Sequence, residues 1–406
     1  MATERSAKNL GLTAAKKAKN DEFYTQYYDI QEEVEAYFDY DPDTFRGKTV
    51  YCNCDDPFES NFFKYFAVNF NRLGLRKLIT TSYDGSSIAG NQISFEEYMA
   101  GNGTREKPRA TCLEIEKVKD LNADGVIGIE DAKMFLVNNP HSHRPLEGGG
   151  DFRSEECIEL LKEADIVVTN PPFSLFRDYI ALLREHKKKF LVIGNTNAIT
   201  YKEVFPLIKA NSLWLGCTNF NVGMHFEVPD NRENYHYIDE GTGKKMVRVS
   251  TSCWYTNLEH GRRRQKLNLM PMADNLRYTG VSSYDKYDNF DAIEVGTYKG
   301  IPSDYSGMMG VPITFLDKFN PDQFEILGYE KSAGLRTKVY PKQIQIDKSG
   351  KPKQSAVTKL NDGAAIKLDY PPENETYYVV NGEFFVQKYT RIFIRHLGPT
   401  STGAVQ

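Results

Sequence analysis

From Thr49 onward, short apolar runs alternate with stretches of helical spacing. TVYCNC (49–54) reads as a short, largely apolar strand that runs into Asp55-Asp56-Pro57. In SNFFKYFAVNF (60–70), Phe62, Phe63, Phe66 and Ala67 recur at helical intervals. KLITTSY (77–83) predicts a second strand. Ser154 is placed to cap a helix over 154–164, with Ile158 and Leu161 on one face. ADIVVTN (164–170) is a third strand, whose unbroken apolar run fits burial on both faces. FSLFRDYIALLREH (173–186) is helical again, and KKFLVIGN (188–195) is a fourth strand. This alternation predicts an α/β fold, a mostly parallel sheet with right-handed crossovers. Ligands of such sheets bind beyond the carboxyl ends of the strands. The segments expected there are 55–60, 150–153 and 170–173.

After about residue 255 the pattern changes to a mixed α+β character. HGRRRQK (260–266) is basic, and Tyr and Asp become frequent over 278–295. A Lys/Gly/Pro-rich stretch follows at 340–354. In TYYVVNGEFFVQKYTRIFIRH (376–396), Asn381-Gly382 between two β-rich runs predicts a hairpin. The chain therefore divides into an N-terminal arm (1–20), a first domain (21–255) with an insertion at about 100–148, and a second region (256–406) ending in a disordered tail.

With 406 residues the chain can bury a sizeable core, and its 40% hydrophobic and 26% charged residues exclude a disordered or fibrous protein. No apolar run is long enough to cross a bilayer, and the first residues lack the apolar segment of a signal peptide. The six cysteines lack the paired spacing of a zinc site, which fits buried, reduced thiols in a cytoplasmic protein. The net charge of −4 means that any nucleic-acid contact must use local patches. One candidate is the arm, with Arg5, Lys8, Lys16, Lys17 and Lys19 against Glu4 alone; the denser one is Arg262, Arg263, Arg264 and Lys266. A charge run also serves simply as a solvated face.

The sharpest chemical feature is DIVVTNPPF, a buried strand ending in Asn170-Pro171-Pro172-Phe173. The two prolines fix φ and remove two backbone donors. The Asn170 side-chain oxygen and the Pro171 carbonyl can then accept both N–H bonds of an exocyclic amino group. The amine lone pair is drawn out of conjugation and becomes nucleophilic, while Phe173 offers a ring face for a planar base. No titratable general base is required. A Pro-Pro pair after a strand also makes a plain rigid turn, but its place at the end of a buried strand in an alternating chain favours chemistry.

The order FYT, a strand ending DDP, GDF and then NPPF resembles the amino-group DNA methyltransferases whose cofactor motifs precede the catalytic one. DEFYTQYYDI (21–30), YCNCDDP and SNFFKYFAVNF (51–70), GDFRS and DIVVTNPPFSLF (150–176), ITYKEVF (199–205) and MGVPITFLDKFNP (309–321) closely resemble the EcoRI-type adenine-N6 DNA methyltransferases, over most of 15–330. The resemblance implies an S-adenosyl-methionine-dependent fold, with 256–406 as a target-recognition region for double-stranded DNA. It implies that Tyr24 and Thr25 meet the methionine end of the cofactor and that Asp55, Asp56 and Pro57 hold its amino-acid part. Asp151 would accept from its adenine amino group beside Phe152. Asn170, Pro171, Pro172 and Phe173 would form the methyl-transfer site, and Phe226 would be a second wall of the base pocket, against a competing reading as core. The first-strand loop CDDPFESN departs from the family in having no glycine, which puts more weight on Asp151 than on Asp55 or Asp56. The resemblance further suggests a GAATTC-like target, a monomeric enzyme and a possible cognate restriction endonuclease without direct contact.

DLNADGVIGIED (120–131) has the spacing of a calcium loop, with Asp120, Asn122, Asp124 and Asp131 as ligands of a structural Ca²⁺; an Asx-rich turn is the alternative. Asp131 stands where such loops usually carry Glu. Two other functions stay open: an amino-group methyltransferase acting on RNA or a protein glutamine, and an inactive DNA-binding relative. A nicotinamide-dinucleotide fold is disfavoured because no GxGxxG follows the first strand.

Overall fold

The structure is a computed structural model, and it describes residues 24–53, 60–83, 110–121, 128, 131, 134, 143–228, 233–331, 334–353, 357–388 and 390–398. It falls into two compact units: one runs to Ile208 and resumes over Ser212–Gly261, and the other comprises Lys209–Asn211 and Arg262 onward. The division lies just beyond the expected boundary at 255/256.

The first unit opens with β1 (Tyr24–Thr25) and α1 (Tyr27–Tyr40), then β2 (Thr49–Asn53), α2 (Asn61–Val68), β3 (Lys77–Thr81), β4 (Thr111–Ile115) and β5 (His143–Pro145). There follow α3 (Glu155–Glu163), β6 (Ile166–Thr169), α4 (Phe176–Glu185), β7 (Lys189–Asn195), α5 (Phe205–Lys209) and β8 (Trp214–Leu215). Strands β9 (Met224–Val228), β10 (Tyr237–Ile238), β11 (Lys245–Val249) and β12 (Ser252–Thr256) complete it. The main sheet has the order β5-β4-β3-β2-β6-β7-β12-β8. Its centre, β3-β2-β6-β7, is parallel as expected. Its flanks are not: β4 joins β3, and β12 joins β7, antiparallel. The sheet is therefore mixed rather than mostly parallel, because an antiparallel neighbour needs no helical crossover and leaves no such signature in the sequence. Within the expected insertion, 111–115 and 143–145 extend this same sheet.

The helices start where the capping chemistry dictates. The Ser60 hydroxyl accepts from the Phe62 and Phe63 amides at the head of α2, and Ser154 does the same for Cys157 in α3. Alternation along the strands puts Val50, Cys52, Ile166, Val168, Leu191 and Ile193 into one core with α1 and α2. On the other face, Tyr51 and Val167 are fully buried, and Phe176 of α4 packs 5.0 Å from Tyr255. Each fully buried Phe or Leu contributes about 1.5–3 kcal/mol. A second small sheet, β1-β9-β11-β10, pairs Thr25 with Phe226. The five described cysteines are all buried free thiols. No helix among the described residues is long and apolar enough to cross a membrane.

The second unit contains α6 (Met272–Tyr278) and strands β13 (Ala292–Glu294), β14 (Met308–Pro312), β15 (Phe324–Tyr329), β16 (Ile344–Ile346), β17 (Ala364–Leu368), β18 (Tyr377–Val380), β19 (Glu383–Lys388) and β20 (Arg391–His396). They form two four-stranded sheets, β13-β14-β20-β15 and β16-β18-β19-β17. The expected hairpin is β18–β19; Asn381 (φ 50°) and Gly382 (φ 84°) both take the positive φ that a two-residue turn of this twist requires. The rest of that segment, β20, belongs to the other sheet.

Candidate functional site

The carboxyl ends of the parallel strands are tied together by polar side chains. Asn53 closes β2 and is only 3% exposed. Its backbone carbonyl accepts from the Thr169 hydroxyl at the end of β6, and its side-chain oxygen accepts from the Tyr179 hydroxyl on α4. The Tyr51 hydroxyl of β2 lies 3.0 Å from the Thr81 hydroxyl at the end of the neighbouring β3. The corner Asn170–Phe173 therefore leaves a strand end that is fixed from below and leads into a helix that is fixed to the adjacent strand. Pro171 is buried, while Asn170, Pro172 and Phe173 are half-buried, and Phe173 leans on the core shared with α1 and α2.

Gly150 brings Asp151 to this edge. Its φ is +72°, and a Cβ there would overlap the Ser82 carbonyl oxygen just past β3. Only glycine permits that approach. Phe152 is buried with its ring edge-on to Tyr179 at 5.1 Å, so Asp151-Phe152 and the helix after the NPPF corner share one contact. The Asp151 carboxylate accepts from Arg153 Nε at 2.9 Å, Nη2 at 2.7 Å and the Arg153 amide at 2.9 Å. The Arg153 guanidinium beside it holds its carboxyl below the usual range, so it is an anionic acceptor near neutrality.

Tyr24 and Thr25 approach from the small sheet. The Thr25 carbonyl accepts from Asn61 Nδ2 at 2.8 Å, which seats β1 on the first turn of α2, just after the loop that follows β2. The Thr25 hydroxyl is buried and has no hydrogen-bond partner among the described residues. A buried hydroxyl in that state is a ready contact for a polar ligand. Asp55, Asp56 and Pro57 lie outside the described residues, between Asn53 and Ser60.

Other expected residues are placed elsewhere. Phe226 is 0% exposed within the core, so no part of its ring is open to a base, and the core reading describes it. Arg262 pairs with Asp317 at 2.7 Å and Arg264 with Asp322 at 3.1 Å. Arg263 is 4% exposed and donates to the Asn211 side chain. That cluster is chiefly internal bracing; Lys266 is exposed. Lys16, Lys17 and Lys19 lie outside the described residues, as do Asn122 and Asp124. Asp131 is fully buried, and its two oxygens accept from the Leu121 and Gly128 amides, both at 2.7 Å. Its carboxylate thus closes the loop on its own backbone, and no cluster of three metal-ligating side chains occurs among the described residues.

Asn53 and Tyr179 were not singled out in the sequence, and Gly150 entered it only as the head of the 150–153 segment, without the close approach to Ser82 that makes it necessary. The Gly-Gly-Gly run at 148–150 before Asp151 is a signal that could have found Gly150; a lone strand-end Asn and a helical Tyr carry none.

The parallel strand ends bring the proline-stiffened Asn170 corner and the Asp151 loop of this α/β unit into contact through Tyr179. The family model described as adenine-specific methyltransferase EcoRI matches residues 11–397. The chain is 46% identical over 336 residues to the type II methyltransferase M.EcoRI of Escherichia coli, covering 80% of this chain and 91% of that protein. It is 40% identical over 321 residues to the type II methyltransferase M.MpnI of Mycoplasma pneumoniae, covering 77% and 83%. For the type II methyltransferase M.MgeORF184P of Mycoplasma genitalium the identity is 37% over 342 residues, covering 82% and 92%. No solved structure matches the chain. The chain belongs to the EcoRI methylase family and is an adenine-specific DNA methyltransferase.

Proposed function

We propose that the chain methylates N6 of an adenine swung out of duplex DNA at a short specific site, with S-adenosyl-methionine as donor, as the modification half of a type II system. The target is GAATTC-like, the enzyme acts as a monomer, and a cognate endonuclease recognises the same site without touching it. The observation that carries this reading is the junction of Asn170–Phe173 with Asp151-Phe152 through Tyr179 and Asn53. Bound S-adenosyl-methionine supplies a methyl group on an electrophilic sulfonium centre. Thr25, with its unpartnered buried hydroxyl, and Asp151, as anionic acceptor, fit the polar ends of that cofactor. Tyr24 and the loop with Asp55, Asp56 and Pro57 complete the holding set.

Unstacking the adenine costs a few kcal/mol, which stacking on the half-buried Phe173 ring partly offsets. The Asn170 side-chain oxygen and the Pro171 carbonyl accept the two amino hydrogens. Their pull would draw the nitrogen lone pair out of conjugation with the ring and leave it free to attack an electrophile. After transfer, the surplus N6 proton leaves to water. The rigid corner contributes by orientation, since the prolines and the Thr169–Asn53 bond remove freedom that alignment would otherwise cost.

Labelled methyl transfer from S-adenosyl-methionine to duplex DNA, RNA and protein acceptors tests the reading. Label on adenine of duplex DNA alone is expected. Label on RNA or on protein glutamine with none on DNA contradicts it.

A further inference from the structure

The second unit separates two kinds of cation. Arg262 and Arg264 each face an aspartate, and Arg263 is buried. Lys331, Lys348, Lys359 and Lys388 instead line a single cleft of about 580 Å³ beside the β16-β18-β19-β17 sheet, and none of the four forms an ion pair among the described residues. The turn that follows β16 adds Lys351 and Lys353, both exposed. The one acid of that turn, Asp347, is spent internally: its carboxylate accepts from the Ser349 amide at 2.8 Å, the Ser349 hydroxyl at 2.7 Å and the Lys351 amide at 2.9 Å. Three carboxylates share the cleft: Asp362 and Glu375 are exposed, whereas Glu330 is 5% exposed and accepts from the Arg391 amide at 2.8 Å, so the four lysines outnumber the two outward-facing acids.

We infer that this lysine-lined cleft of the second unit grips the sugar–phosphate backbone of the target duplex. An enzyme of net charge −4 must concentrate its phosphate contacts, and four lysines along one cleft are such a concentration. Lysine is a compact, flexible point charge without the planar fork that reads base edges. The cleft therefore fixes affinity and register along the duplex and leaves sequence choice to other residues. A groove of this volume takes part of one strand's backbone, not a whole duplex. The inference rests on the proposed action on duplex DNA.

The test compares the full-length protein with two quadruple variants, one with Lys331, Lys348, Lys359 and Lys388 changed to Ala and one with the same residues changed to Arg. Affinity for a GAATTC-containing duplex is measured across a salt series, with S-adenosyl-methionine affinity and the urea midpoint as checks on folding. Each lost phosphate contact flattens the log–log salt slope by about 0.9. The Ala variant is expected to lose about two to four units of slope and at least about tenfold in affinity at moderate salt. The Arg variant is expected to retain both. An Ala variant with the parent's slope and affinity overturns the inference while leaving the methyl-transfer reading intact. So does an Arg variant as weak as the Ala variant, because the loss then follows from shape and not charge. If the unaltered protein neither binds nor methylates the duplex, the proposed function falls and takes the cleft with it.

Discussion

Gly150 and Asn53 show how single atoms set this site. A methyl group at Gly150 would strike the Ser82 carbonyl, and the φ of +72° is itself unfavourable for any other residue. Gly150→Ala should therefore destabilise the first unit by about 1–3 kcal/mol. Because the shift moves Asp151, it should also weaken S-adenosyl-methionine binding at least about tenfold; equilibrium dialysis beside a urea titration measures both. At Asn53 the side-chain oxygen takes the buried Tyr179 hydroxyl, so Asn53→Ala should cost about 1–3 kcal/mol from the orphaned Tyr179 group, whereas the Thr169 bond, made to the backbone carbonyl, survives. The setting of Asn170-Pro171-Pro172-Phe173 was legible, since the corner ends an apolar run that reads as a buried strand, and Ile166–Thr169 is one. Their supports were not. Nothing in a sequence tells that Asn53 will meet a tyrosine 126 positions later.

At the level of elements, the β6–corner–α4 passage was read almost residue by residue, because strand period, proline and helical period follow one another without overlap. Helix α1 was harder to see: its core face is Ile30, Glu33, Val34 and Tyr37, with a carboxylate in an apolar row. Glu33 is fully buried and accepts from the Tyr37 hydroxyl at 2.9 Å, the Cys217 amide at 2.8 Å, and the Thr218 amide and hydroxyl at 2.7 and 2.6 Å. Burial pushes its carboxyl upward, and these four donors hold it back. Gly216 is open for the same reason, since a Cβ there would overlap Glu33. The carboxylate thus fastens α1, and with it the adjoining β1, to the turn after β8. Glu33→Ala leaves those donors unpaired and should cost about 3 kcal/mol or more, read from the urea midpoint. Flanking strands such as β4, β8 and β12 stayed hidden because short antiparallel edges follow from long-range pairing, not from any local period.

Across the whole molecule, charge and proton uptake link stability to pH. Burial raises the Glu330 carboxyl to about 7, against the opposing Arg391 amide and the Arg391 and Lys331 charges. A carboxyl raised in the folded state binds its proton on folding, so stability is highest below its unfolded value near 4.5 and falls as pH rises through about 7. The full effect is at most about 3 kcal/mol. Urea midpoints at pH 5 and pH 8 should therefore differ in the parent and differ less in Glu330→Gln. The parallel centre of the sheet was expected from the pattern of apolar runs. The pairing of the Arg262–Arg264 cluster was not, because a basic run looks the same whether aspartates wait opposite it or not. In the proposed function the Asn170 corner makes an adenine amine nucleophilic, and one measurement addresses that most directly: base-resolved mapping of modified adenines in DNA from cells expressing either the parent protein or Asn170→Ala. The account expects N6-methyladenine at one short recurrent motif with the parent, and a fall of at least about 10²-fold in methylation rate with the variant. Equal methylation by both proteins, or no modified adenine with the parent, would contradict it.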